Sequence, residues 1–197
     1  ARYASARYPG KPLVMLRDRD GASKSLIQRS WEAAMAVKGV DAVYVATDDD
    51  RIKDAAEAFG AQVIMTATTC ENGTARCAQA ATAGVFDADL VVNLQGDAPL
   101  TPVWFVEDLI AAMAAQPEAA VATPVVKCDA QTYAHFRADR AASLVGGTTA
   151  VFDRNHRALY FSKEVLPYIA PAKEAEAAGE VFHHVGLYAY RPAALAQ

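Results

Sequence analysis

DLVVNLQGD, residues 89–97, decides the architecture of this chain. Its apolar run has the pattern of a central buried strand, and it stops abruptly on a polar turn that ends in an acid. Ligands of open α/β sheets bind beyond the carboxyl ends of the strands, so Gln95, Gly96 and Asp97 stand where such a sheet does its chemistry. Gly96 lets the backbone turn closely, and Asp97 presents a carboxylate as the strand leaves the core.

The flanking sequence alternates helix and strand patterns. SLIQRSWEAAMAVKG (25–39) puts Leu26, Ile27, Trp31, Ala34 and Met35 on one helical face and ends at Gly39. DAVYVAT (41–47) is a short strand followed by Asp48, Asp49 and Asp50, acids suited to capping the helix RIKDAAEAFG (51–60). A strand AQVIMT (61–66), a helix near 73–83, a helix from about 102 to 116 and a strand AAVATPVV (119–126) complete an α/β core over residues 1–126. Beyond Lys127 the helical period weakens. TTAVFD (148–153), ALYFSK (158–163) and HHVGLYAYR (183–191) read as extended pieces, with Leu187 and Ala189 facing opposite to Tyr188 and Tyr190. The polar APAKEAEAAGE (170–180) is expected as an exposed loop or short helix. The expected fold is α/β and Rossmann-like, with a mostly parallel central sheet and a smaller mixed-sheet extension over 127–197.

Composition narrows the function. With 197 residues, 53% hydrophobic and 21% charged, the chain is long enough for one well-buried core with a smaller lobe. No apolar run reaches the roughly 18 residues of a membrane span, and no signal-peptide core follows the basic start, so a cytoplasmic protein without a membrane partner is expected. Cys70, Cys77 and Cys128 lack metal-type spacing and are expected as free thiols.

A formal net charge of -4 disfavours general binding to nucleic acid. ARYASARYPGKPL (1–13) nevertheless gathers Arg2, Arg7 and Lys11 with no acid before Asp18, a local cationic patch suited to a polyphosphate or a carboxylate. ENGTAR (71–76) adds Gly73 and Arg76 at a helix start. If these loops meet Asp97 on one rim, the set is what nucleotidyl transfer requires: cations to disperse phosphate charge, and a carboxylate to hold a magnesium ion bridging the phosphates. No protein nucleophile is needed. Taken singly, the basic segment is also a solvated terminus, and Asp97 an ordinary turn residue.

The ordered set ARYASARYPGKPL, VATDDDRI, NGTAR, NLQGDAP, ALYFSK and HHVGLYAYR resembles the 3-deoxy-manno-octulosonate cytidylyltransferase (CMP-KDO synthetase) family over almost the whole chain. The resemblance implies a nucleotidyltransferase of the nucleotide-diphospho-sugar transferase type, coupling CTP to the acidic sugar KDO, releasing pyrophosphate and serving lipopolysaccharide synthesis. It assigns Arg2, Ser5, Arg7 and Lys11 to the triphosphate, and Asn72, Gly73, Thr74 and Arg76 to the nucleotide base. It assigns Asp97 to Mg2+, and Gln95, Lys163, His184 and Tyr188 to the sugar. Arg2, Lys11 and Asp97 would carry the catalysis. Outside the resemblance, Tyr188 is also a half-buried strand aromatic and His184 a hydrogen-bonded core histidine. A homodimer built from about Lys127 onward, with ALYF and LPY near the contact, is implied as well.

Three positions depart from the family pattern. Ala75 replaces the acid of G-T-[DE]-R, Ala98 the glutamate of Q-G-D-E-P, and Lys163 stands where arginine is usual, losing the two-point fork for a carboxylate while keeping the charge. These departures keep open a cytidylyltransferase for another acidic or amino-modified sugar, or a catalytically weak nucleotide-binding paralogue. Against the family pattern the chain also opens without the apolar strand that precedes the ARY loop. It stops before the G-[VI]-D-T-P-x-D motif, whose aspartate is the family's second magnesium ligand.

Overall fold

The computed structural model describes residues 1–4, 8–85, 87–170 and 178–195. They form two compact units, Ala1–Ala122 with Leu187–Gln197, and Thr123–Gly186. Ser5, Arg7 and most of the 170–180 segment lie outside the described residues.

The first unit opens with a hairpin absent from the sequence expectation, β1 (Met15–Arg17) paired antiparallel with β2 (Ser23–Ser25). β2 runs directly into α1 (Leu26–Met35), where the Ser25 hydroxyl accepts from the Gln28 N–H at 3.3 Å and so satisfies an otherwise orphaned helix donor. β3 (Tyr44–Thr47) leads to α2 (Asp50–Ala58), capped by Asp49, whose carboxylate accepts from the Arg51 N–H at 3.1 Å. The chain returns as β4 (Gln62–Met65), parallel to β3. Ile27 of α1, Val45 of β3, and Ile52 and Ala56 of α2 close one core cluster with Ala61. Next come α3 (Gly73–Thr82), β5 (Val91–Asn93), α4 (Val103–Ala115) and the two-residue β6 (Val121–Ala122).

In the second unit, β7 (Val125–Lys127), α5 (Ala130–Ala141), β8 (Thr149–Phe152), β9 (Ala158–Ser162) and β10 (Phe182–His184) follow in order. The sheet order is β7-β10-β8-β9 and every ladder is antiparallel, so the mixed extension expected from the sequence is corrected to an antiparallel sheet. A tight turn dictates one of these pairings: Asp153 Oδ1 accepts from the Asn155 and Arg157 N–H groups at 2.8 and 2.9 Å, reversing the chain between β8 and β9. Helix α5 was hidden in the sequence because its buried anchors are just Tyr133 and Phe136, too few to set a clear period. Asp129 caps its start, accepting from the Thr132 N–H at 2.7 Å. Tyr133 and Phe136 pack with Cys128, Ile169 and Val181. Gly147 permits this approach, because a Cβ there would lie 2.4 Å from Phe136 Cζ.

The chain then returns to the first unit as β11 (Tyr188–Tyr190), followed by the short helix α6 (Pro192–Leu195). HHVGLYAYR is therefore two strands in two units, β10 and β11, with the exposed Gly186 between them, and the extension ends at Gly186 instead of running to residue 197. AAVATPVV is likewise divided between β6 and β7. β11 lies between β5 and β6, antiparallel to both, with Tyr188 opposite Asn93. That insertion makes β5 an outer member of its ladder, where a central strand was expected. Among the described residues the parallel ladder is β3·β4, less than the mostly parallel central sheet the sequence suggests. Leu187 and Ala189 are buried at 1% and 0%, but Tyr190 is buried too, because β11 lies inside its ladder and both of its faces are covered.

Candidate active site

The two ends of the basic segment both reach the QGD turn. At one end, a Cβ on Gly96 would lie 3.5 Å from the Ala1 side chain. At the other, Lys11 Nζ donates to Asp97 Oδ2 at 2.5 Å. Lys11 and Asp97 are 47% and 49% exposed, so a soluble anion can reach both groups. Gly96 fits closely, since a Cβ there would stand 3.0 Å from Ile27 Cδ1, and its carbonyl accepts from Ser30 Oγ at 3.1 Å. The turn is therefore pinned to α1 from below while Asp97 stays outside. Arg2 is exposed next to Ala1.

The N-terminus of α3 forms a second wall. Asn72 caps the helix, its Oδ1 accepting from the Ala75 N–H at 2.9 Å. A Cβ on Gly73 would meet Asn93 Nδ2 at 3.3 Å and Gln95 Nε2 at 3.4 Å, so glycine lets the helix start lie directly on the end of β5. The free N–H groups and dipole of such a helix start favour anionic or acceptor groups. Thr74 Oγ1 shares a hydrogen bond with the Tyr190 hydroxyl at 3.0 Å, and the Tyr188 and Tyr190 rings stack at 5.8 Å. Burial pushes the Tyr188 phenol above its ordinary pKa, so it stays protonated near neutrality.

Arg76, assigned to the nucleotide by the resemblance, lies buried behind the helix start. It is 5% exposed; one guanidinium nitrogen donates to Asp48 Oδ2 at 3.0 Å and another to Thr66 Oγ1. Asp48 follows β3 and Thr66 follows β4, so Arg76 ties α3 to the ends of both strands. The contacts fix the start of α3 against the strand ends, and removing one partner of so buried a pair costs far more than breaking a surface one. Asn93 was not singled out in the sequence, and Asp48 was expected to help cap the helix after β3, whereas Asp49 is the cap and Asp48 turns to Arg76.

The second unit holds the remaining candidates. Lys163 Nζ donates to Thr148 Oγ1 at 2.6 Å at the mouth of β8·β9. On β10 successive histidines face opposite sides of the sheet. His183 packs edge-on against Phe136 of α5, and His184 against Phe161 of β9, each with ring centroids 5.0 Å apart. His184 Nε2 shares a hydrogen bond with Thr123 Oγ1 at 3.0 Å. Burial first, then the neighbouring histidine and the Lys163 charge, push the His184 imidazole below its usual pKa, leaving it neutral at pH 7.

The three cysteines are free, and burial pushes the Cys77 thiol up to about 11 and the Cys128 thiol above its ordinary value, which disfavours thiolate chemistry at those two. Among the described residues, no three of His, Cys, Asp and Glu cluster as a metal cage, and no helix is long and apolar enough to cross a membrane. An α/β unit that gathers a lysine, a carboxylate and a helix N-terminus at strand ends is built to handle phosphate-bearing ligands.

Comparison with known proteins makes the class specific. A family profile described as Cytidylyltransferase matches residues 1–196. The 3-deoxy-manno-octulosonate cytidylyltransferase of Maricaulis maris (strain MCS10) is 44% identical over 191 residues, covering 97% of this chain and 71% of the relative. The 8-amino-3,8-dideoxy-manno-octulosonate cytidylyltransferase of Shewanella frigidimarina (strain NCIMB 400) is 40% identical over 196 residues, covering 96% and 71%. A solved structure of CMP:2-keto-3-deoxy-manno-octonic acid synthetase complexed with CTP superposes with a TM-score of 0.81 at 38% identity, covering 99% of this chain and 73% of the other. This chain belongs to the cytidylyltransferase family.

Proposed function

We propose that this protein couples CTP to 3-deoxy-D-manno-octulosonate (KDO), giving CMP-KDO and pyrophosphate for lipopolysaccharide synthesis in the cytoplasm. The observation that carries this reading is the meeting of Lys11 with Asp97 at the QGD turn, 86 residues apart in sequence. The sugar's anomeric oxygen attacks the α-phosphorus as the α–β bridging bond breaks; the bond's electron pair leaves with pyrophosphate, and the proton of the attacking hydroxyl passes to solvent water. This reaction needs little from the protein beyond position and charge. Arg2, Ser5, Arg7 and Lys11 take the triphosphate, the α3 start with Asn72, Gly73 and Thr74 takes the base, and Arg76 holds that start in place. Gln95, Tyr188, Lys163 and His184 take the sugar.

Asp97 would hold Mg2+. A half-exposed carboxylate whose contact is a displaceable surface lysine fits a hard cation that keeps one or two protein oxygens and fills its shell with phosphate oxygens and water. When bound, the metal disperses charge across the phosphates. The finer fold assignment, a Rossmann-like nucleotidyltransferase core over the first unit with sugar-binding and dimerisation roles in the second, is supported by the parallel β3·β4 pair and by the shared direction of β5 and β6.

A second sugar, the 8-amino analogue of KDO, is favoured by the Shewanella relative at 40% identity. Pyrophosphate release by the complete protein with CTP and Mg2+ against KDO, 8-amino-KDO and other acidic sugars is expected to be fastest with KDO. Faster turnover of the amino sugar reverses the choice between them. CTP binding with no release for any sugar rejects the enzymatic reading in favour of a nucleotide-binding paralogue.

A homodimer is supported by the edge strand β9, where Leu159, Tyr160 and Phe161 are all exposed, and by the 77% exposed Tyr168. An uncovered apolar edge invites pairing with a second strand. Light scattering at micromolar concentration is expected to give the mass of two chains, and the mass of one chain rejects the dimer.

A further inference from the structure

The described ends of the basic loop are closed by contacts that no assigned ligand residue makes. The Gly10 N–H donates to the Tyr3 carbonyl at 3.0 Å, joining the two ends of the segment. Gly10 has φ +71°, a left-handed conformation that disfavours any side chain. A Cβ there would also stand 3.1 Å from the Cε2, Cζ and Oη atoms of Tyr3. From this conformation the chain enters the one-turn 3-10 segment Lys11–Leu13, so the departure of Lys11 toward Asp97 is set at Gly10.

Tyr3 is itself gripped. Its side chain packs against the core cluster containing Ile27 and Ile52, and the Arg51 guanidinium carbon lies 3.4 Å from its ring centroid. Arg51 is oriented by a two-point fork to Asp49, Nε to Oδ1 at 3.0 Å and Nη2 to Oδ2 at 2.7 Å. Asp49 in turn is fixed as the cap of α2. The Arg51 side chain is 61% exposed, so it adds little to core burial, and its charge is offset by Asp49, so the pair adds little positive potential to the loop. What remains for it to do is hold the Tyr3 ring.

We propose that Arg51, oriented by Asp49, is a positioning residue for triphosphate binding: it clamps Tyr3, Tyr3 fixes Gly10, and Gly10 directs Lys11 to the phosphates. This rests on the cytidylyltransferase function proposed above. The clamp should matter for ligands that reach the loop with their β- and γ-phosphates and be immaterial for those that lack them.

Calorimetric titration of the complete protein in Mg2+ with CTP and, separately, with CMP tests this. Tyr3→Leu removes the ring while leaving every charge in place, and Arg51→Met removes the clamp at an exposed position that the fold does not need. Both are expected to weaken CTP about threefold to tenfold, the range of one cation–π contact, and to change CMP less than about twofold. Tyr3→Phe, which keeps the aromatic face, should restore CTP affinity. Unchanged CTP binding in both Tyr3→Leu and Arg51→Met overturns the clamp, as does an equal loss for CMP or a Tyr3→Phe variant as weak as Tyr3→Leu. If Tyr3→Leu does not fold, the Arg51→Met comparison decides alone. Failure of the unaltered protein to bind CTP strikes the underlying functional reading, and it is seen before any variant is compared.

Discussion

Asp97→Asn is expected to lower turnover by about a hundredfold to a thousandfold, the scale of losing one preorganised charge-stabilising group, while leaving the protein folded. The amide keeps the size of the carboxylate and removes its charge, so it cannot hold a hard cation against the phosphates. Little else is lost. Asp97 is 49% exposed, and its bond to Lys11 is a surface ion pair, worth at most about 1 kcal/mol. The turn that carries it is held independently by the Ser30 hydroxyl on the Gly96 carbonyl and by the close fit of Gly96 against Ile27. The melting temperature should therefore shift little. A chelator should silence the unaltered enzyme in the same way, with activity returning on addition of Mg2+. Near-normal turnover in a folded Asp97→Asn variant would remove Asp97 from the chemistry and, with it, the proposed metal site.

Lys11→Ala and Lys163→Ala are expected to separate the nucleotide end of the reaction from the sugar end. Lys11 supplies a cation at the acid turn, so its loss should weaken CTP and reduce turnover with every sugar, because charge developing on the departing pyrophosphate loses a partner. Lys163 belongs to the second unit, where its ammonium is held by Thr148 Oγ1 at 2.6 Å. Loss of one charge-assisted hydrogen bond to a sugar carboxylate should cost on the order of 1.5 to 3 kcal/mol, or roughly tenfold to a hundredfold in sugar affinity, with CTP binding nearly intact. Lys163→Arg should match or exceed the unaltered protein with KDO, because a guanidinium offers two parallel donors to a carboxylate. Titrating CTP and sugar separately against each variant decides the matter. Equal loss of CTP affinity in both alanine variants rejects the division of labour.

The sequence alone determined most helices and strands of the first unit and the chemical cast, but neither the β1–β2 hairpin nor α5. Ser25, Asp49 and Asn72 stand as caps where the apolar period begins, because a cap joins a side chain to an N–H two or three residues away and needs nothing distant. The basic segment, the NGTAR helix start and the QGD turn were legible for the same reason, as residue types whose chemistry is carried in a few adjacent positions. Tertiary structure decided everything that depends on partners far apart in the chain. It inserted β11 between β5 and β6, cut HHVGLYAYR into strands of two different units, and buried Arg76 against Asp48 and Thr66, 28 and 10 residues away. It also showed what lies against the glycines: Asn93 and Gln95 at Gly73, Ile27 at Gly96, and Phe136 at Gly147, where a Cβ would stand 2.4 Å from the ring. Periodicity records which face of an element is buried and is silent on which element covers it, since any apolar surface of suitable shape lowers the free energy by a similar amount per unit area. Lys11 could thus be recognised in the sequence as a cation awaiting an anion, whereas its meeting with Asp97 required the fold.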